Sequence, residues 1–254
     1  MKLAAWNVNS LNVRLAHVIE WLKTHQPDAL CLQELKMEDA KFPLSAFDDI
    51  GYHAVFNGQK TYNGVAIISR ARPEDVSKDI VGYDDHQKRV IAATIEGVRV
   101  ISAYIPNGQT VESEKYQYKL HWLAALQRYV RDVIAEYGDV ALLGDYNIAP
   151  DDRDVHDPKA WEGQVLCTVS ERDAFRGLVG LGLVDTFRLF DQPPQTFSWW
   201  DYRMNGFKRN LGLRIDHVLL TTNLAGRCNA SIIDVAPRKL ERPSDHAPVV
   251  ACIN

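Results

Sequence analysis

Thiol chemistry is thinly provided for in this chain of 254 residues. Its four cysteines, Cys31, Cys167, Cys228 and Cys252, lie far apart, and no pair has the spacing of a zinc knuckle or a redox motif, so buried free thiols are the expectation. Long apolar runs are missing too. Nothing approaches the roughly 20 residues that span a bilayer, and the strand-like start Met1 to Trp6 lacks the apolar segment of a signal peptide, which points to a cytoplasmic protein without a membrane partner. Charge of one sign is also lacking. With 29 Lys and Arg against 33 Asp and Glu the net charge is -4, so a nucleic acid or other polyanion would need a local basic patch. There is no Gly-x-Ser-x-Gly elbow, no P-loop, no His-Glu-x-x-His and no repeat at a period of 20 to 50 residues. Gly177, Gly180 and Gly182 mimic a glycine-rich loop but follow no strand, and helix packing and capping explain them. The acidic run Asp151, Asp152, Asp154 and Asp157 lacks the glycine of a calcium loop and reads as solvated or helix-capping.

What remains is an ordinary globular composition, 46% hydrophobic and 24% charged, with no linker-like stretch, so residues 1–254 read as one domain. Leu3 to Val8 is a buried strand, Ser10 is placed to cap a helix carrying Leu11, Leu15, Val18 and Leu22 at helical spacing, and Asp28 to Gln33 is a second buried strand. If this crossover is parallel, Asn7 and Glu34 stand side by side at the strands' carboxyl ends. Strands follow at His53–Asn57, Val65–Ser69, Val90–Ile95 and Val98–Tyr104, the last two joined by a tight Glu96-Gly97 turn. A long helix is expected from Ser113 to Tyr137 on the spacing of Tyr116, Leu120, Leu123, Val130, Ile134 and Tyr137, with Gly138 to stop it. Val140–Leu143 is another strand, Ser170 is placed to cap a helix towards Leu181, and strands near Arg214–Thr221, Ser231–Val235 and Pro248–Ile253 close the chain. The fold class is α/β or α+β, sheets with helices packed outside.

Five polar clusters lie at predicted strand ends, where a rigid sheet can hold a loop side chain in place. Trp6-Asn7-Val8-Asn9-Ser10 offers two amides, equally at home in a turn. Leu32-Gln33-Glu34-Leu35-Lys36 sets a carboxylate after an apolar strand, to be held by a metal or by Lys36. Tyr104-Ile105-Pro106-Asn107 puts a hydroxyl and an amide in a turn. Gly144-Asp145-Tyr146-Asn147 is sharper: in an extended segment the spacing points Asp145 and Asn147 to one side, one to hold water and one to touch a phosphoryl oxygen, with a simple Asx turn as the alternative. Last come Arg214-Ile215-Asp216-His217 and Ser244-Asp245-His246, in which Asp216 is suited to fix the tautomer of His246. Together they form an inventory for metal-assisted phosphodiester hydrolysis, and oxygen donors without thiolates favour Mg²⁺ or Mn²⁺. Between Arg203 and Arg214 stand Lys208 and Arg209 with no acid, directly after Phe197, Trp199, Trp200 and Tyr202. Cations beside aromatics suit a phosphate backbone next to an exposed sugar, although a core tryptophan pair with a solvated loop has the same pattern.

With these residues in order, the chain resembles the exonuclease III family of DNA-repair nucleases, within the endonuclease/exonuclease/phosphatase superfamily, over essentially its whole length. The resemblance implies a deoxyribonuclease I-like four-layer α/β sandwich, two packed mixed sheets flanked by helices. It implies Glu34 as main metal ligand helped by Asn7 and Asp245, with Asp145, Asn147 and His246 in the same set. Asp145 would activate the attacking water, Asn147, Tyr104 and Asn107 would face the phosphate, and His246, held by Asp216, would stabilise its charge. Lys36 would lie close to the ligands, and Asn9 stands where the family often has an acid. Trp199, Leu213 and Ile215 would line a pocket for a flipped-out abasic sugar, and Arg203, Lys208 and Arg209 would bind DNA. The implied activity is 3′-5′ exonuclease on duplex DNA and endonuclease 5′ to abasic sites, by a monomer. The alternatives are a phosphoinositide or sphingomyelin phosphoesterase of the same superfamily, or a non-catalytic nucleic-acid-binding regulator. The basic stretch argues against the first, and the complete set of acidic and His positions against the second.

Overall fold

A computed structural model describes residues 1–254. Its elements in chain order begin with β1 (Lys2–Asn7), α1 (Leu11–His25), β2 (Ala29–Gln33), α2 (Leu44–Asp48), β3 (His53–Asn57), β4 (Val65–Ser69), β5 (Glu74–Lys78), β6 (Val90–Ile95), β7 (Val98–Tyr104) and α3 (Glu114–Tyr137). They continue through β8 (Val140–Asp145), α4 (Pro158–Trp161), α5 (Val169–Val179), β9 (Leu183–Asp185), β10 (Trp199–Trp200), β11 (Gly212–Leu213), β12 (Asp216–Thr221), α6 (Thr222–Ala225), β13 (Cys228–Ile233) and β14 (Val249–Ile253). Two six-stranded sheets carry the fold, ordered β13-β14-β1-β2-β4-β3 and β5-β6-β7-β8-β12-β9, and β10 pairs with β11 in a small separate ribbon. No helix is long and apolar enough to cross a membrane.

The layers follow from the alternation of side chains along strands. Leu3, Ala5, Cys31 and Ile67 of the first sheet meet Ile91, Val100, Leu143 and Val218 of the second in a buried inter-sheet core. The opposite face of the first sheet, Ala4, Trp6, Leu30 and Leu32, packs on Val18, Trp21 and Leu22 of α1. The outer face of the second, Ala92, Ile101 and Leu142, packs on Trp122 and Leu126 of α3 and Phe175 and Leu178 of α5. The result is the expected four-layer α/β sandwich.

Each sheet has one parallel pair at its centre. Asn7 pairs with Gln33 where β1 runs beside β2, and Tyr104 pairs with Asp145 where β7 runs beside β8. β12 is antiparallel to β8, so its first residue Asp216 lies opposite Asp145. β14 is antiparallel to β1, so the segment before it, with Asp245 and His246, meets the end of β1. Polar residues distant in sequence therefore collect at one edge of both sheets.

Several local expectations needed correction. Ser10 is the N-cap of α1 but its hydroxyl caps nothing. Instead the Ser10 and Leu11 amides donate to the Glu34 and Leu35 carbonyls, at 2.8 and 3.2 Å, lashing the first two polar loops together. The capping residue of α5 is Thr168, in a capping box with Glu171, and Ser170 lies inside the helix. The strand expected at Val140–Leu143 runs on through Gly144 to Asp145, and at the φ of +147° of Gly144 a Cβ would fall 1.9 Å from the Ala103 carbonyl oxygen. The buried stripe of α3 shares Tyr116, Leu123 and Val130 with the one expected but is rotated towards Lys119, Trp122, Ala125, Leu126, Tyr129 and Val133, while Leu120, Ile134 and Tyr137 are only half-buried. The strand expected from Arg214 begins at Asp216, and that expected at Ser231–Val235 runs from Cys228 to Ile233. All four thiols are free, but only Cys31 and Cys167 are buried.

Candidate active site

At the common edge, single ligand atoms of Glu34, Asp145 and His246 all lie within 4.8 Å of one another. One side chain unites the two carboxylates: the Asn7 amide nitrogen donates to Glu34 Oε1 at 2.8 Å and to Asp145 Oδ2 at 2.9 Å. Its oxygen accepts from the Asn9 backbone N–H at 2.9 Å, which fixes the plane of the amide that spans the two acids. Glu34 and Lys36 both have left-handed backbones, which folds the segment back on itself and closes an ion pair of 2.9 Å between them. The Glu34–Lys36 pair is thus formed, and the same carboxylate lies beside Asp145. The Lys36 ammonium also donates to Asn9 Oδ1 at 2.5 Å.

Burial raises the carboxyl of Asp145 well above the usual range; the charge of His246 works against this and that of Asp216 adds to it. Burial alone would lower His246, but the charges of Asp216 and Asp145 prevail and hold the imidazole cationic well above neutral pH. Its Nδ1 lies 2.9 Å from Asp216 Oδ2, and its Nε2 lies 3.7 Å from Asp145 Oδ2. Behind this pair stands Ser198, whose hydroxyl donates to Asp216 Oδ2 at 2.6 Å and accepts from the Ile215 and Asp216 amides at 3.0 Å each. Nothing in the local sequence singled out Ser198, since its partners are supplied by a strand that follows 18 residues later.

Asn147 is not extended, as its spacing from Asp145 had suggested, but left-handed at φ 50°. An Asx-type turn results, in which the Asn147 amide donates to Asp145 Oδ1 at 2.9 Å, and its side-chain nitrogen reaches the Ile105 carbonyl at 3.0 Å. The exposed Asn107 donates to Asn147 Oδ1 at 2.9 Å. Burial, followed by the neighbouring Glu34 charge, drives the Tyr104 hydroxyl far above its ordinary pKa, so it stays protonated as a donor. The Arg89 guanidinium lies 4.7 Å from the Tyr104 ring. Beside these residues runs a groove of about 610 Å³ whose lining includes Gln59, Asn63, Arg89, Tyr104, Asn107 and Lys115.

Asp245 is set to one side of the three converging groups. Its carboxylate accepts from Asn9 Nδ2 at 2.9 Å and from the Trp199 indole at 3.0 Å. Burial would raise it, but the His246 charge and these two bonds hold it below the usual range. Trp199 is half-buried at the rim, while Leu213 and Ile215 are fully buried with Ala149, Val155 and Leu166, a floor rather than an open wall. Arg203, Lys208 and Arg209 are exposed on the neighbouring loop, with Arg203 held by Asp201 at 2.7 Å.

The basic stretch nonetheless divides. Arg214 cannot face a ligand, being 1% exposed and paired with Asp154 at 2.6 Å and Asp185 at 2.7 Å. Asp154, expected to be solvated or helix-capping, is buried in the same network, where Arg188 also binds it. Phe197 and Trp200 belong to the core with Ala247, and the guanidinium of Arg238 sits 4.9 Å from the Phe207 ring. Of the aromatics, Trp199 and Tyr202 are left at the surface.

The donor set suits a hard divalent cation. Two carboxylates share one amide, the nearest formal cations are Lys36 and His246, and no thiolate is present.

Comparison with known proteins agrees with this geometry. The model of the Endonuclease/Exonuclease/phosphatase family matches residues 4–246. The chain is similar to the exodeoxyribonuclease III of Haemophilus influenzae, 35% identical over 99% of each chain. Among solved structures it is similar to a 3′ phosphatase from Neisseria bound to a product DNA hairpin, with TM-score 0.98, 48% identity and coverage of 100% of this chain and 99% of that one. It is also similar to an AP endonuclease from Archaeoglobus fulgidus, with TM-score 0.97, 43% identity and coverage of 100% and 99%.

Proposed function

The chain belongs to the endonuclease/exonuclease/phosphatase family, and from that premise we propose a DNA-repair nuclease whose reaction is carried by the convergent Glu34, Asp145 and His246. It hydrolyses phosphodiester bonds, with 3′-5′ exonuclease and AP endonuclease activity, in keeping with the relatives described above. The observation that carries the reading is the approach of these three groups, from positions 34, 145 and 246, to within 4.8 Å. The partner is duplex DNA with an abasic site or a 3′ end, and the working unit is a cytoplasmic monomer.

Glu34 is the principal residue for holding Mg²⁺ or Mn²⁺, with Asp145 beside it and Asn7 fixing both carboxylates. When bound, the ion supplies Lewis-acid neutralisation of phosphate charge. Asp145, raised by burial, is suited to orient the attacking water and take its proton. His246, braced by Asp216, presents a buried cation to the charge that develops on the phosphate. Tyr104 and the side-chain amides of Asn107 and Asn147 flank the same spot as neutral donors. Trp199 marks the sugar side of the cleft, floored by Leu213 and Ile215, and Lys36, Arg203, Lys208 and Arg209 provide local positive charge on a chain of net charge -4.

Three labelled duplexes, with an abasic site, a recessed 3′ end and a 3′-phosphate, test this directly. The expected result is cleavage of the first two by the wild type and loss of both activities in Asp145→Asn, with duplex binding retained. Undiminished turnover by Asp145→Asn would refute the assignment.

A further inference from the structure

Lys119 points inward from α3, with its side chain 0% exposed. All three ammonium protons have acceptors: Glu171 Oε1 at 2.5 Å, the Asn147 carbonyl at 2.6 Å and the Asn107 carbonyl at 3.1 Å. The two carbonyls belong to the residues whose side-chain amides bond each other next to Asp145. One buried charge thus grips two phosphate-facing loops by their backbones. The turn is shaped for this grip: Gly108 has φ +96°, and a Cβ there would stand 3.2 Å from Lys119 Cδ and 3.1 Å from Val165 Cγ2.

The counter-ion is equally committed. Glu171 Oε1 also accepts from the Leu166 amide at 3.0 Å, and Oε2 accepts from the Thr168 amide at 3.0 Å and its hydroxyl at 2.8 Å. Ordinary capping boxes satisfy one helix start. This one runs on through an ion pair into the loops of β7 and β8, so the 162–168 loop, α3, α5 and the two asparagines form one hydrogen-bonded body. An ion pair taken wholly out of water is an expensive way to gain stability, since apolar replacements of similar volume are often as stable. What apolar groups cannot do is hold two carbonyls at a set separation.

We propose that Lys119, braced by Glu171, is a positioning residue for phosphodiester hydrolysis: it sets Asn107 and Asn147 against the reacting phosphate. The inference rests on the nuclease reading above. Its test uses the full-length chain with Mg²⁺ on the recessed-3′ duplex, comparing Lys119→Met/Glu171→Gln, which removes both charges, with Glu171→Gln alone, which leaves the ammonium its two carbonyls. The double variant is expected to stay folded, with kcat per folded molecule lowered about 10- to 100-fold, the scale of a small misplacement of reacting groups, and KM within about two-fold. Glu171→Gln alone is expected to keep most of the wild-type kcat. A double variant with wild-type kcat overturns the proposal, and so does a double variant that unfolds while Glu171→Gln remains fully active, because the pair would then serve stability only. Asp145→Asn, run alongside, separates the two claims: if it cleaves normally, the nuclease reading fails regardless of Lys119.

Discussion

Two buried charge clusters lie at opposite ends of the Asp216–His217 dipeptide, and they are built to different rules. On the Arg214 side, Asp154 and Asp185 meet Arg214, with Arg188 on Asp154, and His217 Nε2 donates to the Ile148 carbonyl at 2.9 Å. Charges there are matched and hydrogen bonds are saturated. On the His246 side, Glu34, Asp145, Asp216 and Asp245 outnumber Lys36 and His246. A matched cluster holds the fold; an acidic one, with more carboxylates than cations, is suited to completion by a cation.

The sharpest way to break that contrast is to disarm one residue on each side. Asp145→Asn should lower turnover by roughly 10²- to 10⁴-fold, the worth of a positioned general base, with the melting temperature at or above that of the wild type because a buried carboxylate is removed. Arg214→Met should do the reverse. It strands Asp154 and Asp185 without their cation and should cost about 3–5 kcal/mol in a urea titration, while kcat per folded molecule stays near wild type.

A pH series sharpens the same distinction. His217 is lowered to about 4 by burial and then by the Arg214 charge, so it is neutral when folded and takes a proton on unfolding. Its contribution is present above the unfolded value of about 6.5 and drains away as pH falls from there towards 4. Asp185 would be raised by burial, but the Arg214 charge holds it below the usual range, so its contribution is lost only as pH drops below about 4. Urea midpoints should therefore fall in two stages on acidification, and Asp185→Asn should flatten the lower one. The smallest effect belongs to the surface. Lys208→Ala and Arg209→Ala should each reduce the salt dependence of duplex binding by about one unit of slope or less, measured from log Kd against log salt, with kcat unchanged.

The same contrast explains how far the sequence could be read. Asp145, Asp216, His246 and Glu34 were legible because each stands at the end of an apolar strand, where a charge needs a reason. Lys119 was not, because a lysine on a helix of mixed polarity reads as solvated until the loops that cap its ammonium are in place. Ser198 and Arg238 escaped for a similar reason: their partners come from distant segments, at Asp216 for one and Phe207 for the other. Arg214 was misread with the exposed cations around it, since composition records neighbours in sequence and not Asp154 and Asp185 across the fold. The crossover and the hairpins pointed to sheets with helices packed outside, and the four layers came from the family resemblance, whereas edge strand β5 and the short ribbon β10-β11 were too polar or too brief to leave a periodic signal.

Manganese binding followed by electron paramagnetic resonance tests the central claim most directly, because it reads the cation site without relying on catalysis. The wild type should bind Mn²⁺ with affinity reduced at least about tenfold in Glu34→Gln, chelation should stop cleavage of an abasic duplex, and Mg²⁺ or Mn²⁺ should restore it. Equal Mn²⁺ affinity in wild type and Glu34→Gln, or full cleavage in chelator, would contradict the account.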